Sequence, residues 1–443
     1  MKKTSRKELR EKEDKIFYFA EFLKIKKHFF DDITKRLKSV KDTRHQSYVQ
    51  YEPDILLFSV ILKNIFCLES MTSMTEKFNK EECIKNIAKS LEYENLEELP
   101  HYDTINNFLC NLENQELEKI RTYMVKQLFK KRSLESYRLL DKYWCIAIDA
   151  TGLFSFGERH CEHCLKKEFK EKDKETGEKT GNVIKTIYYH NVLEAKLVIG
   201  EMVLSIATEF IENEDENVSK QDCEIKAFKR LEVKLKKQYP HLPICMLGDS
   251  LYACEPVFEI CDKNKWKYLL RFKEGRIKSI AEEFNALKLM DGKRNEKCVW
   301  VRDITYNQRI VNLIETEIVE EDIKTSFVFI TNIPITTKNA DSIVYAGRSR
   351  WKIENQGFNN QKTKTYKIEH ANSMNYNAMK NHYLLTQIAD ILRQLFEKGA
   401  EKIKLLKKSI KEISSSLLES FRTRIITYED TRTIEKRTKI MLS

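Results

Sequence analysis

Three acidic residues stand where chemistry could be done: Asp149 in CIAIDATG, Asp249 in CMLGDSLYAC and Glu354 in RSRWKIENQGFN. Each aspartate closes a short apolar run, so its side chain should emerge at the carboxyl edge of a sheet, where α/β proteins build their sites. On a helix, Arg350 before Glu354 and Gln361 after it would share its face, while Trp351, Ile353 and Phe358 pack elsewhere. Converging carboxylates repel one another unless a cation neutralises them, and their hard oxygens call for Mg²⁺ or Mn²⁺. Two such ions about 3.5–4 Å apart activate water and stabilise the leaving oxygen in phosphodiester cleavage. A second cluster, HCEHC, holds His160, Cys161, His163 and Cys164. No second C-x-x-C follows, so four zinc ligands would need both histidines or the later His190, and the stretch reads as an ordinary loop. Glu194 reads as a strand residue beside Lys196, and Asp103 as the cap of a helix start. Trp300 offers a ring that could stack on an unpaired base, with core packing as the competing role.

The elements that must position these residues follow from periodicity. Residues 1 to about 140 carry apolar side chains at helical spacing (Phe17, Phe22, Ile55, Phe58, Leu62, Phe66), which predicts an all-helical N-terminal domain. Within it, residues 24–44 hold eight Lys/Arg against three Asp, including Lys35, Arg36 and Lys38. Such a stretch is a solvated helix face or a set of phosphate contacts. From Tyr143 the texture becomes strand-like. The hydrophilic stretch 166–181 reads as a hairpin loop, and the predicted order from there is three strands, helix, strand, helix, strand. Alternating residues at 298–333 predict a β-rich insertion, placed at 285–335, before a helix capped by Asp341. Residues 377–418 read as amphipathic helix, and the last 47 residues carry twelve Lys/Arg against seven Asp/Glu.

Composition bounds the class. At 443 residues, with 41% hydrophobic and 33% charged side chains, the chain has enough apolar surface for roughly three domains and excludes wholesale disorder. Eleven glycines and six prolines leave little room for collagen-like or turn-rich sandwich folds. A net charge of +11 makes a polyanion a reasonable partner. The eleven cysteines, mostly single and set in apolar runs, read as reduced thiols. The longest apolar run, 55–62, is too short to span a bilayer, and the expected location is the cytoplasm.

The blocks CIAIDATGLFS, CMLGDSLYAC and RSRWKIENQGFN, in this order, resemble the catalytic blocks of DDE transposases of bacterial insertion sequences. The resemblance covers about residues 100–395. It implies a ribonuclease-H-like α/β core, a mixed sheet flanked by helices, at 141–284 and 336–375. A helical DNA-binding domain at 1–140, the insertion at 285–335 and a basic helical region at 376–443 complete the expected organisation. It further implies Asp149, Asp249 and Glu354 as a triad holding two Mg²⁺ (or Mn²⁺) ions, at spacings of 100 and 105 residues. Of the Tyr, Arg, Glu and Lys signature around the last acid, Arg350 and Glu354 fit. The Tyr and Lys positions fall on Gly347 and Gln361, with Tyr345 and Lys362 the nearest residues of the right type. The activity implied is metal-dependent cleavage and strand transfer at element ends, on double-stranded DNA, by a chain that dimerises on DNA and is then nucleoid-associated, with no membrane partner. Competing expectations are a domesticated DNA-binding protein that no longer cuts, and a structure-specific nuclease of the same fold that cuts without joining.

Overall fold

The structure, a computed structural model, describes residues 15–45, 47, 49–158, 160–172, 179–320 and 323–435. The charged first fourteen residues, the tip of the 166–181 hairpin and the end of the basic tail lie outside the described residues. The chain divides into two compact units, one formed by Met1–Ser133 with Asn359–Ser443 and the other by Leu134–Phe358.

The first unit is helical. Its N-terminal part comprises α1 (Tyr18–Phe29), α2 (Ile33–Lys38), α3 (Pro53–Ile65), α4 (Met71–Phe78), α5 (Glu81–Leu91), α6 (Tyr102–Asn111) and α7 (Asn114–Phe129). Pro53 opens α3, where its missing N–H costs nothing, and every residue of that helix is buried. α6 is capped by His101, whose ring accepts from the Asp103 N–H, so the predicted cap moves two residues upstream.

The second unit carries β1 (Trp144–Phe156), β2 (Leu165–Lys172), β3 (Lys179–Ile199), β4 (Met202–Ile211), α8 (Glu224–Gln238), β5 (Ile244–Gly248), α9 (Glu255–Asn264) and β6 (Lys267–Phe272). They are followed by α10 (Lys278–Asp291), β7 (Lys293–Arg294), β8 (Cys298–Tyr306), β9 (Arg309–Glu320), β10 (Ile323–Thr331) and α11 (Ala340–Ser349). One ten-stranded mixed sheet runs β2-β3-β1-β5-β6-β10-β9-β8-β7, with β4 alongside β3. β5 is parallel to β1 and β6 to β5, whereas β3 is antiparallel to β1.

Three expectations change here. Where it is described, the hydrophilic stretch 166–181 is strand, the end of β2 paired with the start of β3: β2 is exposed at all but its first residue, so this pairing rests on backbone bonds and leaves no alternation to read. The β-rich insertion forms no separate layer, because β10 hydrogen-bonds to β6 and continues the main sheet, and its first residues belong to α10. α11 begins at Ala340, with Asp341 inside its first turn instead of capping it. The core beneath α11 includes Trp300, Ile314, Phe329 and Ile343.

The C-terminal segment adds α12 (Tyr376–Gly399), α13 (Glu401–Leu406), α14 (Ile410–Thr423) and α15 (Tyr428–Glu435) to the helical unit. α12 is a central helix rather than an amphipathic one. It packs against α1, α3, α6 and α7, and twenty of its 24 residues are buried. Its polar residues partner one another. The Arg393 guanidinium donates to Asp390 and Glu397, each at 2.7 Å, and to the Tyr366 hydroxyl at 2.7 Å. A stripe of charges that mimics a solvated face is thus an internal network.

Candidate active site

β1 and β5 bring the two aspartates together by register. Trp144 pairs with Ile244 and Ala147 with Leu247, so the ladder offset is the same 100 residues that separate Asp149 from Asp249. Both acids therefore stand at the same level of adjacent parallel strands, but only Asp249 follows a strand end: β1 does not close at Asp149 as expected and runs on to Phe156, because β3 continues to pair with it. Gly248, just before Asp249, lets β6 and the following turn close in: a Cβ there would come within 2.9 Å of Leu270 and 3.1 Å of Tyr252. The Asp249 carboxylate accepts from the Leu251 N–H at 2.7 Å, capping a single 3₁₀ turn, Ser250–Tyr252.

Glu354 arrives from the other side of the chain. After α11 the helix widens into a π-helical turn, Ile353–Phe358, which packs on β1 and β4. π-turns re-aim side chains and recur at functional sites. Arg350, 8% exposed, bridges the two elements: its Nη1 lies 2.7 Å from Glu354 Oε1 and 3.4 Å from Asp149 Oδ2. Ile353 and Phe358 are buried, whereas Trp351 is half exposed with its ring edge-on to Phe327 at 5.6 Å.

A fourth carboxylate completes the group. Glu224, in the first turn of α8, accepts from the buried Tyr252 hydroxyl at 2.6 Å. Its pKa is raised by burial and by the charge of Asp249, against the hydrogen bond from Tyr252. The Asp149 carboxyl is pushed up to about 7, first by burial, against the pull of Arg350, and further by Glu354, Glu224 and Asp249. The four acids thus share one field, and protonation of Asp149 is one way to relieve it. Sequence alone gives little notice of Glu224. Its only signal is an acid opening the helix that follows the antiparallel strands.

Oxygen-only donors of this kind suit a hard divalent cation. Arg350 separates Asp149 from Glu354, while Glu224 and Asp249 are engaged by Tyr252 and the Leu251 N–H. Among the described residues, the group of three candidate ligands with donor atoms all within 4.8 Å of one another is Cys161, Cys164 and His190.

The remaining predicted residues scatter. Trp300 is a correction: it is 1% exposed inside the core, so its ring has no face for a base. Gln361 is also a correction. Instead of sharing a face with Arg350 and Glu354, it is fully buried in the helical unit and donates to Asp390 at 2.8 Å. Lys362, in the same unit, ion-pairs with Glu369 at 2.9 Å. Glu194 stands opposite Asp149 in the β1–β3 ladder, fully buried, and accepts from the Thr208 hydroxyl. Lys35, Arg36 and Lys38 are exposed on α2, with Arg36 over the Tyr123 ring at 3.9 Å and Lys38 over Tyr93 at 5.0 Å. Tyr345, 67% exposed, lines a groove of about 1000 Å³ beside α11 together with Arg348, Trp351, Lys352, Lys288 and Lys324. Among the described residues no helix is long and apolar enough to cross a membrane. Compared with protein-family models and with characterised proteins, the chain matches none.

Proposed function

We propose that this chain is a transposase of the DDE type, cutting DNA at the ends of a mobile element and joining them to a target. The observation that carries the reading is that Asp149 and Asp249 stand level at adjacent parallel strands β1 and β5, with Glu354 on the π-turn joined to Asp149 through Arg350. The strand order β4-β3-β1-β5-β6, antiparallel then parallel, supports a ribonuclease-H-like core.

Asp149, Asp249 and Glu354 would hold Mg²⁺ or Mn²⁺, and their shared repulsion supplies the reason to bind a cation. When bound, such ions activate water and stabilise a leaving 3′-oxygen. Arg350 keeps the Glu354 carboxylate turned toward Asp149 and offers spare N–H donors to a phosphate oxygen. Tyr252 holds Glu224 beside Asp249. The groove along α11 carries both bases and acids, with Lys288 and Lys324 paired to Glu315 and Glu317, and would meet the DNA backbone through Tyr345 and Arg348 at its wall.

The test uses a plasmid bearing the inverted repeats that flank the gene, incubated with the full chain and Mg²⁺. Release of 3′-hydroxyl ends and their joining to a second DNA are expected. Asp149→Asn, Asp249→Asn and Glu354→Gln should each abolish both steps while end binding and thermal stability persist. Wild-type cleavage by any one variant removes that residue from the triad. Binding without cleavage by the unaltered chain would favour the non-cutting reading, and cleavage without joining the nuclease.

A further inference from the structure

The HCEHC stretch, read from sequence as an ordinary loop, folds into a preformed set of soft and borderline donors. Cys161 Sγ and Cys164 Sγ lie 3.6 Å apart, and His190 Nε2 lies 3.3 Å from the first and 3.2 Å from the second. Cys164 and His190 are buried, at 5% and 1% exposure, and Cys161 is partly buried. A tetrahedron with Zn–S near 2.3 Å and Zn–N near 2.0–2.1 Å has edges of about 3.5–3.8 Å. The observed triangle is slightly tighter. It is far too open for a disulfide, whose sulfurs sit at about 2.05 Å.

The surrounding backbone holds this geometry in place. The Cys164 N–H donates to the Cys161 carbonyl at 3.1 Å, making the C-x-x-C stretch a tight turn, and the Cys161 N–H donates to Cys164 Sγ at 3.4 Å. Asn213, buried in the segment after β4, locks the turn from outside: its N–H donates to the His163 carbonyl at 3.1 Å and its amide to the Cys164 carbonyl at 2.9 Å. His190 sits on β3 opposite the bulge of β1 between Gly152 and Ser155, where the register slips.

We propose that Cys161, Cys164 and His190 bind one zinc ion, with the remaining tetrahedral position open to a ligand from solvent. The sulfur and imidazole donors select zinc over the hard cation suited to the carboxylates, so the two centres take different metals. The ion would clip three segments together: the β1–β2 loop, β3, and through Asn213 the connector that leads into α8 and Glu224. The zinc site stands apart from the DNA chemistry, since it involves none of the four acids.

The experiment is elemental analysis of the full chain purified under reducing conditions, before and after dialysis against zinc chloride and removal of free metal. About one zinc per chain is expected, against loss of at least tenfold in a Cys161→Ser, Cys164→Ser double variant and in His190→Gln. Cobalt(II) added to the zinc-stripped unaltered chain should give thiolate-to-cobalt charge-transfer absorption and the strong visible bands of a tetrahedral site. That measurement stands even if a variant fails to fold. Hydrogen exchange at Cys164 and Asn213 should rise on zinc removal. Background zinc together with a featureless cobalt spectrum would overturn the proposal, as would full zinc retention in a folded double variant. A Cys161–Cys164 disulfide found in place of the metal would overturn it too.

Discussion

At the scale of single residues, Arg350 is the link between two of the acids. Its guanidinium bridges the β1 carboxylate and the π-turn carboxylate, and it is almost fully enclosed. Arg350→Ala should therefore release Glu354 from Asp149. A hydrogen bond to a charged group is worth about 1.5–3 kcal/mol, or roughly ten- to a hundredfold in cleavage rate. The thermal midpoint should change much less, and a loss of stability in proportion to activity would make the residue structural. A second prediction concerns His382, on α12. Burial, and then the charge of Lys63, pushes its imidazole down to about 3. It is neutral in the fold and takes up a proton near pH 6.5 when unfolded, so its contribution to stability is present above about pH 6.5 and is lost as pH falls toward 3. Between pH 6.5 and 5, urea unfolding should show the unaltered chain losing stability relative to His382→Gln by at most about 1.4 kcal/mol per pH unit. Lys63, lowered to about 8 by its own burial, acts between pH 8 and 10.5, whereas Asp149, raised to about 7, adds stability as pH falls through the window in both proteins, so their difference isolates His382. Equal slopes for the two proteins would show that His382 is protonated in the fold.

At the scale of elements, α11 lies so close to β10 that the approach itself restricts the sequence. A Cβ on Gly347 would come within 2.8 Å of the Phe329 ring. Arg350 lies one turn further on and Glu354 on the following π-turn, so any displacement of α11 carries both away from Asp149. Gly347→Ala should cost about 1–3 kcal/mol by overpacking and lower cleavage as well. Phe329→Leu in the same chain should restore part of both, because it removes the ring edge. An unaltered midpoint and rate in Gly347→Ala would mean that the helix accommodates the methyl without moving. This glycine occupies the position where the resemblance expects a tyrosine, and any side chain there would press on the Phe329 ring.

At the scale of the whole molecule, DNA affinity should be carried largely by phosphate contacts, and α2 offers three exposed cations for them. Neutralising Lys35, Arg36 and Lys38 together should lower the slope of log K against log salt by about 0.9 for each phosphate no longer neutralised. Fluorescence anisotropy at several salt concentrations reads this directly, and an unchanged slope would leave the three as a solvated helix face. The Tyr123 and Tyr93 rings under Arg36 and Lys38 make the effect of those two smaller than that of Lys35, whose ion pair with Asp32 is long and exposed. What the amino-acid order determined by itself is local. Apolar runs before Asp149 and Asp249 marked two buried strands, though β1 runs on past Asp149 to Phe156, and it is the parallel ladder between them that aligns the two acids. Helical periodicity likewise marked α3, α8 and α9. Only the tertiary structure decided the rest. Arg350 needed the packing of the π-turn on β1 before it had a second acid to meet. Glu224 needed the 3₁₀ turn that brings Tyr252 to it, and His190 needed the β1 bulge to reach two cysteines more than twenty residues upstream. Gln361 and Trp300 look polar or stackable in isolation, yet burial commits them to the interior. Each of these outcomes rests on pairing between residues distant in sequence, and a periodicity read over a few turns contains no term for such contacts.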